Sequence, residues 1–440
     1  MKKKILIYID SDYQVRNYFT YDSLDIDGHE TVVYANSSVS QKHILRFIKN
    51  FKGYIYVDEP MMINLRRREL NIIMMKNLSR SKTFAFKLQR CDRKSRVYHR
   101  LLSTPIISDI LLFLIRAYLG ENKRVRSLLL EENPDLVIIP SVVMGASFID
   151  FLVSCEKLNI KTLFLIDNWD NLSSKTVFPI LPTYLTVWGE QSKEHAVKIH
   201  NFPAENVFCI GTPRFDPYFL TKETKRPYAF DYVVFTGQSL PFDEISALKL
   251  LDHYMTKQNI RDIKIVYRPH PWRSVCKSFD YFLEGDYKNI IIDKQIKDYY
   301  YYSKTKFYNP REVNPSLEYY PDLLKNALFT ISPLTTMIIE AVLVNKYVLV
   351  LTYNDGYHLE SPGNALKYCE HFVGIEKIHA FKFCHNFDDL PELFSLLLNK
   401  TRGKEGSEDL RQDAKFIIEI PSEKYRFRLK KVVDEIFQRS

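Results

Sequence analysis

The chain has 440 residues, 46% hydrophobic and 14% aromatic, which exceeds one ordinary core, fits two domains of about 200 residues and excludes a disordered or low-complexity protein. The net charge of +9 is moderately basic, yet no zinc-finger spacing, helix-turn-helix signature or RNA-binding aromatic motif accompanies it, so nucleic acid is not the expected partner. Six scattered cysteines, no two at Cys-x-x-Cys spacing, offer neither a zinc site nor a redox pair and fit a reducing cytosol.

In chain order the first element is the strand "KILIYI" (Lys4–Ile9). Its run is too short for a signal peptide, and Asp10 and Asp12 follow at once. The strand ends in "IDSDYQVRN", without the Gly-x-Gly-x-x-Gly turn that a nicotinamide or flavin cofactor needs, and Walker A is absent. Asp10 and Asp12 are read as acids facing the ligand, with Asp12 a candidate base, and not as metal ligands. "TVVYA" (Thr31–Ala35) and "GYIYV" (Gly53–Val57) are further strands, with the helical "SQKHILRFIKNF" between them. From Arg66 to Arg100 basic residues alternate with Met, Ile, Phe and Leu. That is either a patch for an anionic membrane or acceptor, or a solvated amphipathic helical face. The most apolar run, "IISDILLFLIRAYLG" (Ile106–Gly120), is broken by Asp109 and Arg116 and is too short to span a bilayer. The expectation is a cytoplasmic protein, soluble or peripheral on the inner face of the cytoplasmic membrane.

"DLVIIP" (Asp135–Pro140), "TLFLID" (Thr162–Asp167), "YLTVWG" (Tyr184–Gly189) and "VFCIG" (Val207–Gly211) are strands, and "GASFIDFLVSCEKLN" is a helix. The strand at Leu163 runs into "DNWDNLSSK". Asp167, Asn168, Trp169, Asn171 and Lys175 there suit a polyhydroxylated acceptor, since Trp stacks on sugar faces while carboxylates and amides bind hydroxyls. Asp170 in the same loop is the other candidate base. A long Asx-rich turn is the alternative reading.

The rhythm breaks at "RFDPYFLTKETKRPY" (Arg214–Tyr228), polar and proline-bearing, which reads as the linker. It then restarts with "DYVVFTG" (Asp231–Gly237), the helix "DEISALKLLDHYMTKQ", "IKIVYRP" (Ile263–Pro269), "NIIID", "ALFTIS", the helix "LTTMIIEAVLVN", "YVLVLTY" and a final amphipathic helix "KYRFRLKKVVDEIFQR". Apolar strands separated by helices predict parallel sheets covered on both faces. The fold class is therefore α/β: two Rossmann-like doubly wound domains facing a cleft, residues 1–218 and 228–440, with the C-terminal helix able to pack back on the N-terminal domain.

In such sheets ligands lie beyond the carboxyl ends of strands. Three loops of the second half qualify. "FTGQSL" offers Gly237, Gln238 and Ser239. "YRPHPWR" holds His270 on a proline-stiffened turn with Arg268 and Arg273 beside it, a cluster suited to an anion, while Trp272 has no assigned role. "TISPLTTMIIE" puts Ser332, Thr335 and Thr336 at a helix start, a phosphate seat, with Glu340 a turn later to accept from a ribose hydroxyl.

Together these features resemble a GT-B glycosyltransferase over most of the chain. "WDNLSSK", "YLTVWGEQSKEHAV" and "VFCIGTPRFD" resemble a stretch of bacterial surface-polysaccharide transferases. The His-Pro pair and the Ser/Thr helix start resemble elements of Kdo transferases, sialyltransferases and CDP-glycerol glycerophosphotransferases. The resemblance implies that His270, Ser332, Thr335 and Thr336 contact the donor phosphate. It implies an inverting, metal-independent transfer of sugar from a CMP-, UDP-, GDP- or TDP-linked donor to a glycan or lipid-linked glycan of capsule, O-antigen or lipopolysaccharide. Asp170 or Asp12 would deprotonate the acceptor hydroxyl while His270 and Arg268 stabilise the leaving phosphate. CDP-polyol phosphate transfer, nucleotide-sugar 2-epimerisation and non-catalytic nucleotide-sugar binding stay open as alternatives.

Overall fold

The computed structural model describes residues 2–55, 60–141, 145–220, 225–270, 282, 285–297, 317–403 and 409–439. The chain divides into two compact units, one made of Met1–Asp216 with Cys369–His371 and Lys415–Ser440, the other of Pro217–Tyr368 with Phe372–Ala414.

In the first unit β1 (Lys4–Ile9), β2 (Glu30–Asn36), β3 (Phe51–Ile55), β4 (Leu136–Pro140), β5 (Lys161–Leu165), β6 (Tyr184–Val187) and β7 (Val207–Cys209) form a parallel sheet in the order β3-β2-β1-β4-β5-β6-β7. Its central strands are apolar at successive positions because both faces are covered. Ile5, Ile7, Ile138 and Leu163 enter one core; Leu6, Val137, Ile139 and Phe164 enter the other.

The helices of this unit are α1 (Asp12–Phe19), α2 (Gln41–Phe47), α3 (Pro60–Lys76), α4 (Lys82–Gln89), α5 (Arg93–Leu102), α6 (Pro105–Leu119), α7 (Lys123–Glu132), α8 (Phe148–Leu158), α9 (Asn171–Ser174) and α10 (Glu190–His200). A capping box starts α1, the Ser11 hydroxyl accepting from the Gln14 N–H while the Gln14 side chain returns to the backbone. Helices α3 to α7 all lie between β3 and β4, and several share a separate apolar cluster that includes Ile72, Phe84, Leu102 and Leu112. The basic stretch expected as one exposed patch is divided here. Arg66 is buried, donating to Asp150 at 2.7 Å and Glu69 at 3.0 Å, whereas Arg93, Lys94 and Arg100 are exposed.

Between the sheets in sequence, α11 (Asp216–Leu220) occupies the start of the expected linker, and residues 221–224 lie outside the described residues. The second unit has β8 (Asp231–Thr236), α12 (Glu244–Lys257), β9 (Ile263–Arg268), β10 (Ile290–Ile292), α13 (Tyr319–Lys325), β11 (Thr330–Ser332), α14 (Thr336–Leu343), β12 (Val348–Leu351), α15 (Pro362–Tyr368), β13 (Phe381–Cys384) and α16 (Leu390–Arg402). Its strands are again parallel, in the order β10-β9-β8-β11-β12-β13.

The last helix, α17 (Tyr425–Gln438), belongs to the first unit. Its Tyr425, Leu429, Val433 and Ile436 join the core under β1 and β4, as its amphipathic sequence foretold. Arg428 donates to Asp216 at 3.0 Å and to the Ile210 carbonyl, and Asp216 also accepts from the Tyr425 N–H at 2.9 Å. The approach to α17 runs close over Gly189, where a Cβ would stand 2.8 Å from the Ile417 backbone, so only glycine fits.

Candidate functional site

An open parallel sheet offers its binding crevice where strand order reverses, at the carboxyl ends of the flanking strands. In the second unit these strands are β8 and β11. The Thr236 hydroxyl donates to Ser332 Oγ at 2.6 Å and ties the two ends together. Gly237 follows, its N–H donating to the Arg268 carbonyl at 2.8 Å. A Cβ on Gly237 would lie 2.5 Å from Glu244 Oε2 and 3.0 Å from the His270 backbone nitrogen. The absence of a side chain thus lets the Gly237 and His270 loops meet.

Gln238 is 4% exposed. Its N–H donates to Glu244 Oε1 at 2.9 Å, but its side-chain Nε2 is buried with no hydrogen-bond partner among the described residues. Glu244 is held in turn by the Tyr267 hydroxyl at 2.7 Å. Across the switch point, Thr335 caps α14 through the Met337 N–H at 3.2 Å and sits 3.2 Å from the Ser332 hydroxyl. Thr336 opens the helix. The structure therefore brings Gly237, Gln238, His270, Ser332, Thr335 and Thr336 to one edge of one sheet, with Ser239 exposed beside them. Hydroxyls, an amide donor and the positive end of a helix suit phosphate oxygens.

Two residues expected at this edge serve elsewhere. Arg268 is 4% exposed; its guanidinium donates to Asp293, to Gln295 at 2.7 Å and to the Tyr320 hydroxyl at 3.0 Å, and it lies over the Tyr320 ring. Asp293 is fully buried and also accepts from Tyr228 and Tyr319. Arg268 is thus committed to the ion pair that braces the end of β9, because a buried carboxylate must be neutralised. Glu340 accepts from the Tyr218 hydroxyl. Arg273 and Trp272 lie outside the described residues.

In the first unit the polar residues gather past β5. Asp167 is 2% exposed. Its N–H donates to Ser141 Oγ at 3.0 Å, its carbonyl accepts from the Trp188 indole at 2.9 Å, and its carboxylate accepts from Asn17 Nδ2 at 3.2 and 3.4 Å. Arg214 donates to Tyr13 at 3.2 Å and lies over the Trp188 ring. Burial pushes the Asp167 carboxyl above the usual carboxylate range, and Arg214 with Tyr13 and Asn17 offsets only part of that rise. Asn171 is fully buried and donates to the same Ser141 hydroxyl at 3.1 Å. Asn17 Oδ1 and Asn171 Oδ1 are buried acceptors with no donor among the described residues.

The neighbouring loop is arranged differently from its expected role. Asp170 lies 2.6 Å from the Lys175 ammonium and accepts from Ser174 at 3.1 Å. Burial alone would raise it, but Lys175, His371 and Ser174 hold it down at about 2. Such a carboxylate has little affinity for a proton, so Asp170 is a poor general base. Burial pushes the adjacent His371 down to about 4. Trp169 is 2% exposed, its ring meeting that of His371 edge-on at 5.4 Å, so the expected stacking face is enclosed. Asn168 gives its carbonyl to the Asn171 N–H at 3.1 Å. Asp12 stands at the start of α1, accepting from the Ser40 N–H at 2.9 Å and lying 2.9 Å from His43. It is held on the α2 side of β1, while Asp10 accepts from Ser147 at 3.1 Å.

Sequence reasoning left out Tyr13, Asn17, Arg214 and Glu244. The first two are four apart on α1, hence on one helix face, and Arg214 follows the last strand of its sheet; position relative to strand ends was the available signal.

No family model matches the chain, and no curated protein matches it. Solved structures share its fold along the full length. Staphylococcus aureus MnaA with UDP has a TM-score of 0.55 at 11% identity, covering 99% of this chain and 97% of its own. The UDP-GlcNAc 2-epimerase of Methanocaldococcus jannaschii, in complex with UDP-GlcNAc and UDP, has 0.52 at 12%, covering 99% of both chains. That of Neisseria meningitidis, bound to UDP-GlcNAc, has 0.52 at 11%, covering 99% and 100%. The likeness establishes the two Rossmann-like domains of the GT-B architecture.

Proposed function

We propose that this protein is a nucleotide-sugar-processing enzyme whose second unit seats the diphosphate of a UDP-linked sugar at the ends of β8 and β11. The observation that carries this is the buried Nε2 of Gln238, which has no hydrogen-bond partner among the described residues, beside the linked Thr236 and Ser332 hydroxyls and the start of α14. A buried donor without an acceptor is costly, and a phosphate oxygen would relieve it. UDP is chosen over other nucleotides because proteins of the same fold have been solved with UDP bound.

Asp167 is the proton-handling group of this reading. A buried carboxyl with a raised pKa holds a proton more readily than Asp170, and the acceptors Asn17 Oδ1 and Asn171 Oδ1 suit sugar hydroxyls. The reaction that the fold likeness favours is 2-epimerisation of the UDP-sugar. Transfer to a surface-glycan acceptor is the second reading, favoured by the amide-rich end of β5.

One experiment addresses both. UDP, CDP, GDP, TDP and CMP are screened by thermal shift, and UDP-GlcNAc is then incubated in D₂O with and without oligosaccharide acceptors and followed by proton NMR. UDP should give the largest stabilisation, and Gly237→Ala should remove it. Deuterium entering at C2 without acceptor identifies epimerisation; UDP release that requires acceptor identifies transfer. Absence of stabilisation by every nucleotide overturns the proposal.

A further inference from the structure

Outside these sites, exposed apolar side chains concentrate on α5 and α6 in the first unit. On α6 only Ser108, Leu112 and Leu119 are buried. At about 100° per residue these occupy one side of the helix. Ile106, Ile110 and Phe113 fall roughly opposite and are 72%, 55% and 70% exposed, with Leu114 and Tyr118 flanking them at 55% and 64%. On α5, Val97, Tyr98 and Leu101 are likewise more than half exposed. A folded domain does not ordinarily leave so continuous an apolar row in water.

Charge identifies the partner. From Arg93 to Leu119 the sequence carries five Lys or Arg residues (Arg93, Lys94, Arg96, Arg100, Arg116) against one acid, Asp109, a net of +4. Arg93, Lys94 and Arg100 are exposed on the same helix as Val97, Tyr98 and Leu101. Beside α6 runs a groove of about 690 Å³ lined by Arg80, the Lys76–Asp109 ion pair and Arg116, itself paired with Glu69, together with Leu112, Phe113 and Leu181. Cations alternating with aromatic and aliphatic side chains complement a surface that is anionic outside and apolar beneath.

Geometry decides how that surface is met. Among the described residues no single helix is long and apolar enough to cross a membrane; α5 and α6 reach that length and composition only as a pair, and they are bent by 83° at their junction. With 10 and 15 residues they extend about 15 and 22 Å, short of the roughly 30 Å hydrocarbon core. Such helices lie in the interface plane with the apolar face down.

We infer that the α5–α6 pair is a docking face for an anionic lipid bilayer, inserting Ile106, Ile110, Phe113 and Leu101 below the headgroups while Arg93, Lys94 and Arg100 contact lipid phosphates. It rests on the first unit alone and stands apart from the nucleotide-sugar reading. The expected patch from Arg66 to Arg100 is thereby moved: Arg66 is inside the fold, and the apolar half comes from α6.

The test is flotation of the full chain with vesicles of phosphatidylcholine alone or mixed equally with phosphatidylglycerol, in low salt and in 0.5 M salt, with light scattering of the free protein. Wild type should float with anionic vesicles only, and less in high salt, where screening shortens the reach of the charges. Combined Arg93→Ala, Lys94→Ala and Arg100→Ala should weaken binding on the order of a hundredfold, about fivefold per cation. Ile106→Ser with Phe113→Ser should abolish it with an unchanged melting temperature, since both side chains are exposed. Wild type failing to float with anionic vesicles, or floating equally after the serine changes, overturns the inference. So does a wild-type dimer that the serine changes dissociate without altering flotation, which would make the face a contact between copies.

Discussion

Two aspartates three residues apart show how surroundings divide identical groups. Asp167 is enclosed and raised; Asp170 is paired with Lys175 and held at about 2. Their effects on stability have opposite sign. A raised carboxyl destabilises the fold once ionised, a cost absent below the unfolded pKa and fully present above the folded one. Asp167→Asn should therefore melt higher than wild type at pH 7, read by thermal unfolding, while losing at least about a hundredfold in turnover. A depressed carboxyl stabilises above its unfolded pKa, and that contribution is lost as pH falls through about 2. Asp170→Asn should cost about 2 kcal/mol at pH 7 in urea unfolding, with the gap closing toward pH 2, and should keep most of the turnover. Equal losses of activity in the two variants would refute Asp167 as the proton-handling group. The polar loop itself was legible in sequence. Which acid is proton-affine was not, because Lys175 is an obvious neighbour whereas Arg214, Tyr13 and Asn17 reach Asp167 only through the fold.

Among the elements, α17 depends on distant sequence, being anchored to Asp216 and Ile210 more than two hundred residues before it. Its apolar face was readable from its period, and its docking under β1 and β4 follows from the need to bury Leu429, Val433 and Ile436. Each fully buried aliphatic side chain contributes roughly 1.5–3 kcal/mol. The anchor, however, is ionic. Burial raises the Asp216 carboxyl, and the Arg428 guanidinium, which stays protonated, offsets part of that rise. Arg428→Ala leaves a buried carboxylate with one lost partner and should cost about 3–5 kcal/mol, visible as a large fall in the first unit's melting temperature. A change within 1 °C would show that apolar packing alone holds α17. All the strands except β13 were likewise readable, since two-faced burial makes them uniformly apolar, and so were α2, α8, α12 and α14; the five-helix insertion between β3 and β4 was seen only as a basic stretch and an apolar run, because its helices pack mostly on one another.

For the whole molecule, two compact units, each burying its own apolar clusters, imply two unfolding events. Calorimetry should show UDP raising the transition of the second unit, by about 2.7 kcal/mol at a hundredfold excess over Kd, and Arg428→Ala lowering the other. A shift of both transitions by equal amounts with UDP would mean that the units unfold as one. The sequence by itself determined the doubly wound α/β class, the parallel sheets and the loops at their strand ends, because periodicity and glycine placement are local properties of the chain. Only the tertiary structure decided that Arg268 braces Asp293 and that Asp167 is enclosed. Charge pairing and burial depend on residues tens to hundreds of positions apart, and a strand's end acquires its chemistry from the neighbours that the sheet order places beside it.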